Sequence, residues 1–152
     1  MENRNRRTIE ILLVDDDLED IRLMVHALKQ TTMYHNLNIV HDGIEAMDFL
    51  RRHRTFPDAP RPDIILLDLN MPRKDGREVL AEIKQDPDLK LIPVVVLTTS
   101  ADEDDLRHSY DSGANSFVTK PADLQQFMNV VKAIEDFWFG ISTLPGHMAA
   151  SK

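Results

Sequence analysis

Residues 63–76 read DIILLDLNMPRKDG. Within them Ile64 to Leu69 is an apolar run that does not alternate and is broken only by Asp68. Alternation would leave one face of a strand wet. An unbroken run of this length is how a strand buried on both faces of a parallel sheet reads. An unpaired carboxylate in such a strand is costly, so Asp68 must face a polar site.

Working outward, similar runs occur at Ile9–Val14, Leu37–Val40 and Ile92–Leu97, with a weaker one at Ser116–Thr119. Helical patterns lie between them. Leu18, Ile21, Val25 and Leu28 recur at helical spacing. Ile44, Met47 and Leu50 form a second stripe after the turn pair Asp42-Gly43. Val79, Leu80 and Ile83 mark a third helix, stopped by Asp86-Pro87. Ser100 with Glu103 reads as a capping box opening a fourth helix, which Gly113 closes. Leu124, Phe127, Val131, Ile134 and Trp138 mark a long fifth helix. The order is (βα)₅, and right-handed crossovers put helices on both faces of the sheet. The expected fold is α/β, a flavodoxin-like doubly wound sheet of five parallel strands in the order 2-1-3-4-5. Residues 1–8, with Arg4, Arg6 and Arg7, read as a flexible tail; a basic anchor is the functional alternative. Residues 9–145 form the domain. Residues 146–152 read as a patternless tail of vector or native origin. Arg52 to Pro62 carries three prolines and reads as a surface loop, with a binding loop as the alternative.

Composition excludes several classes. The net charge of -8 disfavours a nucleic-acid or anionic-membrane surface, since both demand a basic patch. With no cysteine, disulfides, thiol catalysis and cysteine-ligated zinc are ruled out. No apolar run approaches the roughly 18–20 residues of a membrane span, and Ile9–Val14 is too short for a signal peptide, so cytoplasm is expected.

Polar residues gather where the strands end. The first run ends in Asp15, Asp16 and Asp17, the third at Asp68 and Asn70, the fourth at Thr98, Thr99 and Ser100, the fifth at Lys120-Pro121. In an open α/β sheet, ligands bind outside the carboxyl ends of the strands at the switch point, here between the first and third strands. Asp15, Asp16 and Asp68 would converge there, with Thr98 and Lys120 on the wall. Carboxylates so crowded repel by roughly 1–4 kcal/mol per pair at about 4 Å. Hard oxygen ligands suit Mg²⁺, and a backbone carbonyl near Asn70 would complete the protein's share. A carboxylate is also a phosphoryl acceptor. Lys120 would then supply positive charge to the phosphoryl oxygens, and the Thr98 hydroxyl a hydrogen bond. Taken singly, each residue has a plainer reading. Asp15 or Asp16 could cap a helix, as Asp17 is expected to, Thr98 could bond at a strand end, and Lys120 could be a surface charge. The joint pattern is what is specific.

Asp15-Asp16, Asp68, Thr98 and Lys120-Pro121 together resemble the bacterial response-regulator receiver family, over roughly Ile9 to Phe139. The resemblance implies a metal-binding acidic pair at Asp15 and Asp16, the phosphoacceptor at Asp68, phosphate sensing by Thr98 and Lys120, an aromatic switch at Phe117 and a cis bond before Pro121. The segments RPDIILLDLNMPRKDGREVL and IPVVVLTTS, the proline-bearing loop and the ending FWF…TLP are similar to small receivers partnered with phytochrome-type histidine kinases, which implies such a kinase as donor. Thr99 departs from the small residue many receivers have there, which bears on donor range and dephosphorylation rate.

The switch implied is a movement of Thr98 and Lys120 toward the phosphoryl group, with Phe117 turning into the vacated space; plain core packing of Phe117 is the alternative. With no effector domain after the fifth helix, output is expected through protein contacts. Phe137-Trp138-Phe139, with Ile141 and Leu144, suggests a homodimer formed through the helix 4–strand 5–helix 5 face and this aromatic segment. Small-molecule turnover is not expected. The enzyme rival is a haloacid-dehalogenase-type phosphatase with Asp15 as nucleophile, since Asp15 and Asp17 match its Asp-x-Asp spacing. An FMN carrier would need a hydroxyl- and glycine-rich loop where Asp15–Asp20 stand, and an unphosphorylated scaffold would not need all five site elements.

Overall fold

The computed structural model describes residues 8–30, 34–69, 71, 73–98, 116–119, 129 and 132. In chain order the elements are β1 Ile9–Val14, α1 Leu18–Lys29, β2 His35–Val40, α2 Gly43–Arg51, β3 Ile64–Asp68, α3 Gly76–Gln85, a 3₁₀ turn at Leu89–Leu91, β4 Val94–Thr98 and β5 Ser116–Thr119. The expected fourth helix lies outside the described residues, as do the two tails except Thr8 and the aromatic segment 137–139. Of the fifth helix, Asn129 and Lys132 are described; both are helical and exposed.

The strands form one parallel sheet in the order β2-β1-β3-β4-β5. Side chains of β1, β3 and β4 alternate between two cores. Leu12, Val14, Ile65, Leu67, Val94 and Val96 pack against α2 and α3 through Met47, Phe49, Val79, Leu80 and Ile83. Ile11, Leu13, Ile64, Leu66, Val95 and Leu97 pack against α1 through Ile21, Met24, Ala27 and Leu28. Burial on both faces is why these strands read as continuous apolar runs.

Each of α1, α2 and α3 starts on an aspartate. Asp17 accepts from the backbone N–H groups of Glu19 and Asp20, at 2.9 and 3.2 Å. Asp42 accepts from Glu45 N–H at 2.9 Å. Asp75 accepts from Glu78 N–H while Glu78 reaches back to Asp75 N–H, a reciprocal box at the start of α3.

Several boundaries differ from the sequence reading, each for a local reason. β2 begins at His35 rather than Leu37, because Glu10 on β1 accepts from the Asn36 amide at 3.0 Å and so lets a polar residue join the ladder. β4 begins at Val94 rather than Ile92, whose N–H closes the 3₁₀ turn on Leu89 O at 2.9 Å. Leu18 and Ile44 do not belong to the buried stripes. They sit in the first turns of their helices and are exposed, and Met24 and Ala46 are buried instead. Asp42-Gly43 is no turn pair but the cap and first residue of α2. Residues 52–62 form a loop fastened to the body. Phe56 meets Phe49 edge-on with centroids 5.4 Å apart, Ala59 is buried, and Arg61 pairs with Asp88 at 2.8 Å.

Asp86, which ends α3, accepts from the Leu89 and Asp88 N–H groups at 3.1 and 2.8 Å and so ties α3 to the 3₁₀ turn. Those bonds, Leu89 first, hold its carboxyl below the ordinary carboxylate range; desolvation opposes them, and the charges of Arg51 and Arg61 add a lesser lowering. A depressed folded-state pKa means the unfolded chain binds the proton more tightly. The contribution of Asp86 is therefore complete above the ordinary carboxylate range and lost as pH falls through the depressed value. The stability gap between wild type and Asp86→Asn, read from urea midpoints, is expected to shrink as the solution is acidified. A gap constant with pH would contradict this.

Candidate functional site

The order β2-β1-β3 sends the chain from β1 out to one side and back to the other, so the carboxyl ends of β1 and β3 flank an open crevice. Val14 pairs with Leu67, which leaves Asp15 and Asp68 leaving adjacent strands at the same level. Asp15 is 2% exposed and Asp68 6%, whereas Asp16 is open to solvent. One carboxylate oxygen from each of Asp15, Asp16 and Asp68 lies within 4.8 Å of the others.

Local bonds turn the backbone at this point. Asp15 N–H continues the ladder onto Val40 O at 3.1 Å, and Asp15 Oδ1 accepts from Asp17 N–H at 3.0 Å, bending the chain into α1. Asp17 is occupied as the α1 cap. The Asp15/Asp17 pair required by the dehalogenase-type reading therefore does not form, and that reading is withdrawn.

Three negative charges at about 5 Å repel by roughly 1–4 kcal/mol per pair, depending on the effective dielectric. The donors are all hard oxygens and one side is solvent-facing. That set suits a small hard divalent cation that keeps some of its water.

Behind the crevice, the loop from Leu69 to Asp75 is held at both ends. Gly76 N–H donates to Leu69 O at 2.9 Å. A Cβ on Gly76 would run into the carbonyl of Asp68 and the Cα of Leu69, so only glycine lets α3 start this close to the end of β3. Gly43 is likewise closed against Lys74, whose carbonyl accepts from Gly43 N–H at 3.0 Å. Arg73, at φ 62, pairs with the buried carboxylate of Asp42. A non-glycine residue in that left-handed conformation costs on the order of 1–2 kcal/mol. The sequence reading did not single out Gly76 or Arg73, and it took Asp42 only as half of a turn pair. The box Asp75-x-x-Glu78 was the signal available for the start of α3; nothing local announces the Arg73–Asp42 pair.

The remaining expected site residues fall as follows. Thr98 is the last residue of β4, one beyond Leu97, which pairs with Asp68. Phe117 lies in β5 opposite Val96. The side chains of both are outside the described residues, as are Asn70, Thr99, Lys120 and Pro121 altogether.

Residues 11–132 match the family described as the response regulator receiver domain. The chain belongs to that family. It is 53% identical over 135 residues to response regulator Rcp1 of Synechocystis sp., covering 89% of this chain and 92% of that protein. The crystal structure of the phosphorylated cyanobacterial phytochrome response regulator RcpA superposes with a TM-score of 0.88 at 55% identity, covering 91% of this chain and 99% of that one. The Mn²⁺-bound form of Rcp1 gives 0.85 at 52% identity, covering 90% and 99%. The receiver is thus no small-molecule enzyme by family, and among its described residues no helix is long and apolar enough to cross a membrane.

Carboxylate crowding at the receiver's crevice has a measurable sign. In the absence of a divalent cation, Asp16→Asn is expected to raise stability by about 1 kcal/mol, because it relieves repulsion at an exposed position. The same substitution should weaken Mn²⁺ binding by about tenfold or more, the equivalent of 1.4 kcal/mol. Thermal midpoints with and without Mn²⁺ check both. A variant less stable than wild type without metal, yet equally stabilised by Mn²⁺, would contradict the reading.

Proposed function

We propose that this receiver accepts a phosphoryl group on Asp68 from a histidine kinase, and that the observation carrying this is the convergence of Asp15, Asp16 and Asp68 on one crevice. Asp68 is the nucleophile because it stands at the end of the central strand, buried but open to the crevice. Its carboxylate oxygen forms a bond to phosphorus as the P–N bond of the donor phosphohistidine breaks, and the imidazole leaves with the electron pair. Mg²⁺, held by Asp15, Asp16, Asp68 and the backbone carbonyl of Asn70, would supply the positive charge that lets a phosphoryl donor approach three carboxylates. The Thr98 hydroxyl and the Lys120 ammonium donate to the phosphoryl oxygens. In support of this, Thr98 ends β4 beside β3, and Lys120 follows directly on β5, whose Thr119 pairs with Thr98.

Phosphorylation adds about 1.5 to 2 negative charges at the sheet's carboxyl edge. Thr98 and Lys120 draw toward them, Phe117 turns inward, and the helix 4–strand 5–helix 5 face changes shape. A shift from 1:99 to 99:1 needs about 5.5 kcal/mol of differential stabilisation. Two or three charge-assisted hydrogen bonds at roughly 1.5–3 kcal/mol each are of that size. Thr99 narrows access to the acyl phosphate, and Lys120-Pro121 takes the cis form.

The donor is a phytochrome-type kinase and the exchange takes place in the cytoplasm; the name of RcpA, a phytochrome response regulator, supports the kinase type. The receiver spans residues 9–145, between tails at 1–8 and 146–152, as a single-domain regulator. It passes the signal by protein contact, as a homodimer that uses the aromatic segment 137–139.

Incubation with acetyl phosphate and Mg²⁺, read by intact mass and light scattering, tests these points together. Wild type should gain one phosphoryl group and run as a dimer, and Asp68→Ala should gain none. A wild type that stays unmodified would overturn the phosphoryl chemistry; a modified monomer would remove the dimer alone.

A further inference from the structure

We propose that Arg73 is a positioning residue: by pairing with Asp42 it fastens the loop after Asp68 to α2 and so holds the cation-binding crevice in shape. This deepens the reading above and rests on it.

The two partners are unequal. The Asp42 side chain is 6% exposed, and that of Arg73 is 62% exposed. Asp42 uses one oxygen to cap α2 on Glu45 N–H at 2.9 Å and gives the other to the Arg73 guanidinium. Without Arg73, the second oxygen of a buried carboxylate would lose its charged partner. The neighbouring residues tie the same two segments together. Gly43 N–H donates to Lys74 O at 3.0 Å, and the space beside Gly43 is closed by Lys74. Lys74 in turn pairs with Glu82 of α3 at 2.9 Å. Arg73 adopts a left-handed backbone conformation that favours glycine, so the chain takes an awkward residue at the position where its guanidinium reaches Asp42.

The far end of the loop is already fixed. Gly76 N–H bonds to Leu69 O, and a Cβ at Gly76 would run into the Asp68 carbonyl. Only the α2 side depends on side chains that can be exchanged without cutting into the core. A loop released there would leave the stretch between Leu69 and Lys74 free to shift relative to the crevice, while Asp15, Asp16 and Asp68 themselves stayed in place. Groups that orient a metal site from behind its ligands commonly change metal affinity by 10- to 100-fold when removed.

The test uses Mn²⁺ alone as the probe, with affinity measured by calorimetry on the full chain for wild type, Arg73→Ala, Arg73→Lys and Asp42→Asn. Arg73→Ala is expected to raise the dissociation constant about tenfold. Arg73→Lys, which keeps the charge, should recover most of that loss. Asp42→Asn combined with Arg73→Ala should add little to either alone, since both break one pair. Wild-type affinity in Arg73→Ala overturns the positioning role while leaving the phosphoryl reading intact. A wild type that binds no Mn²⁺ overturns both. A folded Arg73→Ala with weakened binding that Arg73→Lys does not restore at all overturns the assignment to the charge pair.

Discussion

Electrostatic repulsion among Asp15, Asp16 and Asp68 is the constraint on which the rest of the molecule turns. The parallel pairing of β1 with β3 puts the residue just beyond β1 beside the last residue of β3, and in this chain both are acidic. Asp15 and Asp68 are buried at the ends of strands packed on both faces, which limits how far side-chain rotation can separate them. The fold therefore holds a site whose charge is better matched by a divalent cation than by water. A protein with apolar residues at these positions would be easier to fold and would have no reason to bind metal.

Holding that arrangement demands a stiff frame. The central strands supply it through their two cores. The loops at the carboxyl edge are stiffened by short polar links: the Asp15–Asp17 turn, the caps at Asp17, Asp42 and Asp75, and the packing of Gly43 and Gly76 against backbone. The opposite edge is stiffened differently. There residues 52–62 are anchored by Phe56, Ala59 and arginine contacts, so the long connection adds to the core cluster.

Much of this is written in the chain. Unbroken apolar runs mark strands buried on both faces, and with the strand order they bring Asp15, Asp16 and Asp68 together. Asp68 is legible because a carboxylate inside Ile64–Leu69 has no place in a purely structural strand. What stays hidden is tertiary. Leu18 and Ile44 have helical spacing but begin their helices, where exposure depends on where the sheet ends. Asn36 joins β2 only because Glu10 faces it across the ladder. Arg73 finds Asp42 at a separation of 31 residues, and no local pattern encodes that. Gly76 looks like an ordinary glycine until the backbone of β3 is seen against it.

The most direct test of a cation site between β1 and β3 is the pattern of NMR line broadening on titrating the isotope-labelled protein with Mn²⁺. The account predicts that broadening begins at Asp15, Asp16, Asp68 and Leu69 and reaches the amino ends of the strands, near Ile9 and Ile64, only at much higher Mn²⁺. Broadening centred elsewhere, or spread evenly over the acidic surface, would contradict it.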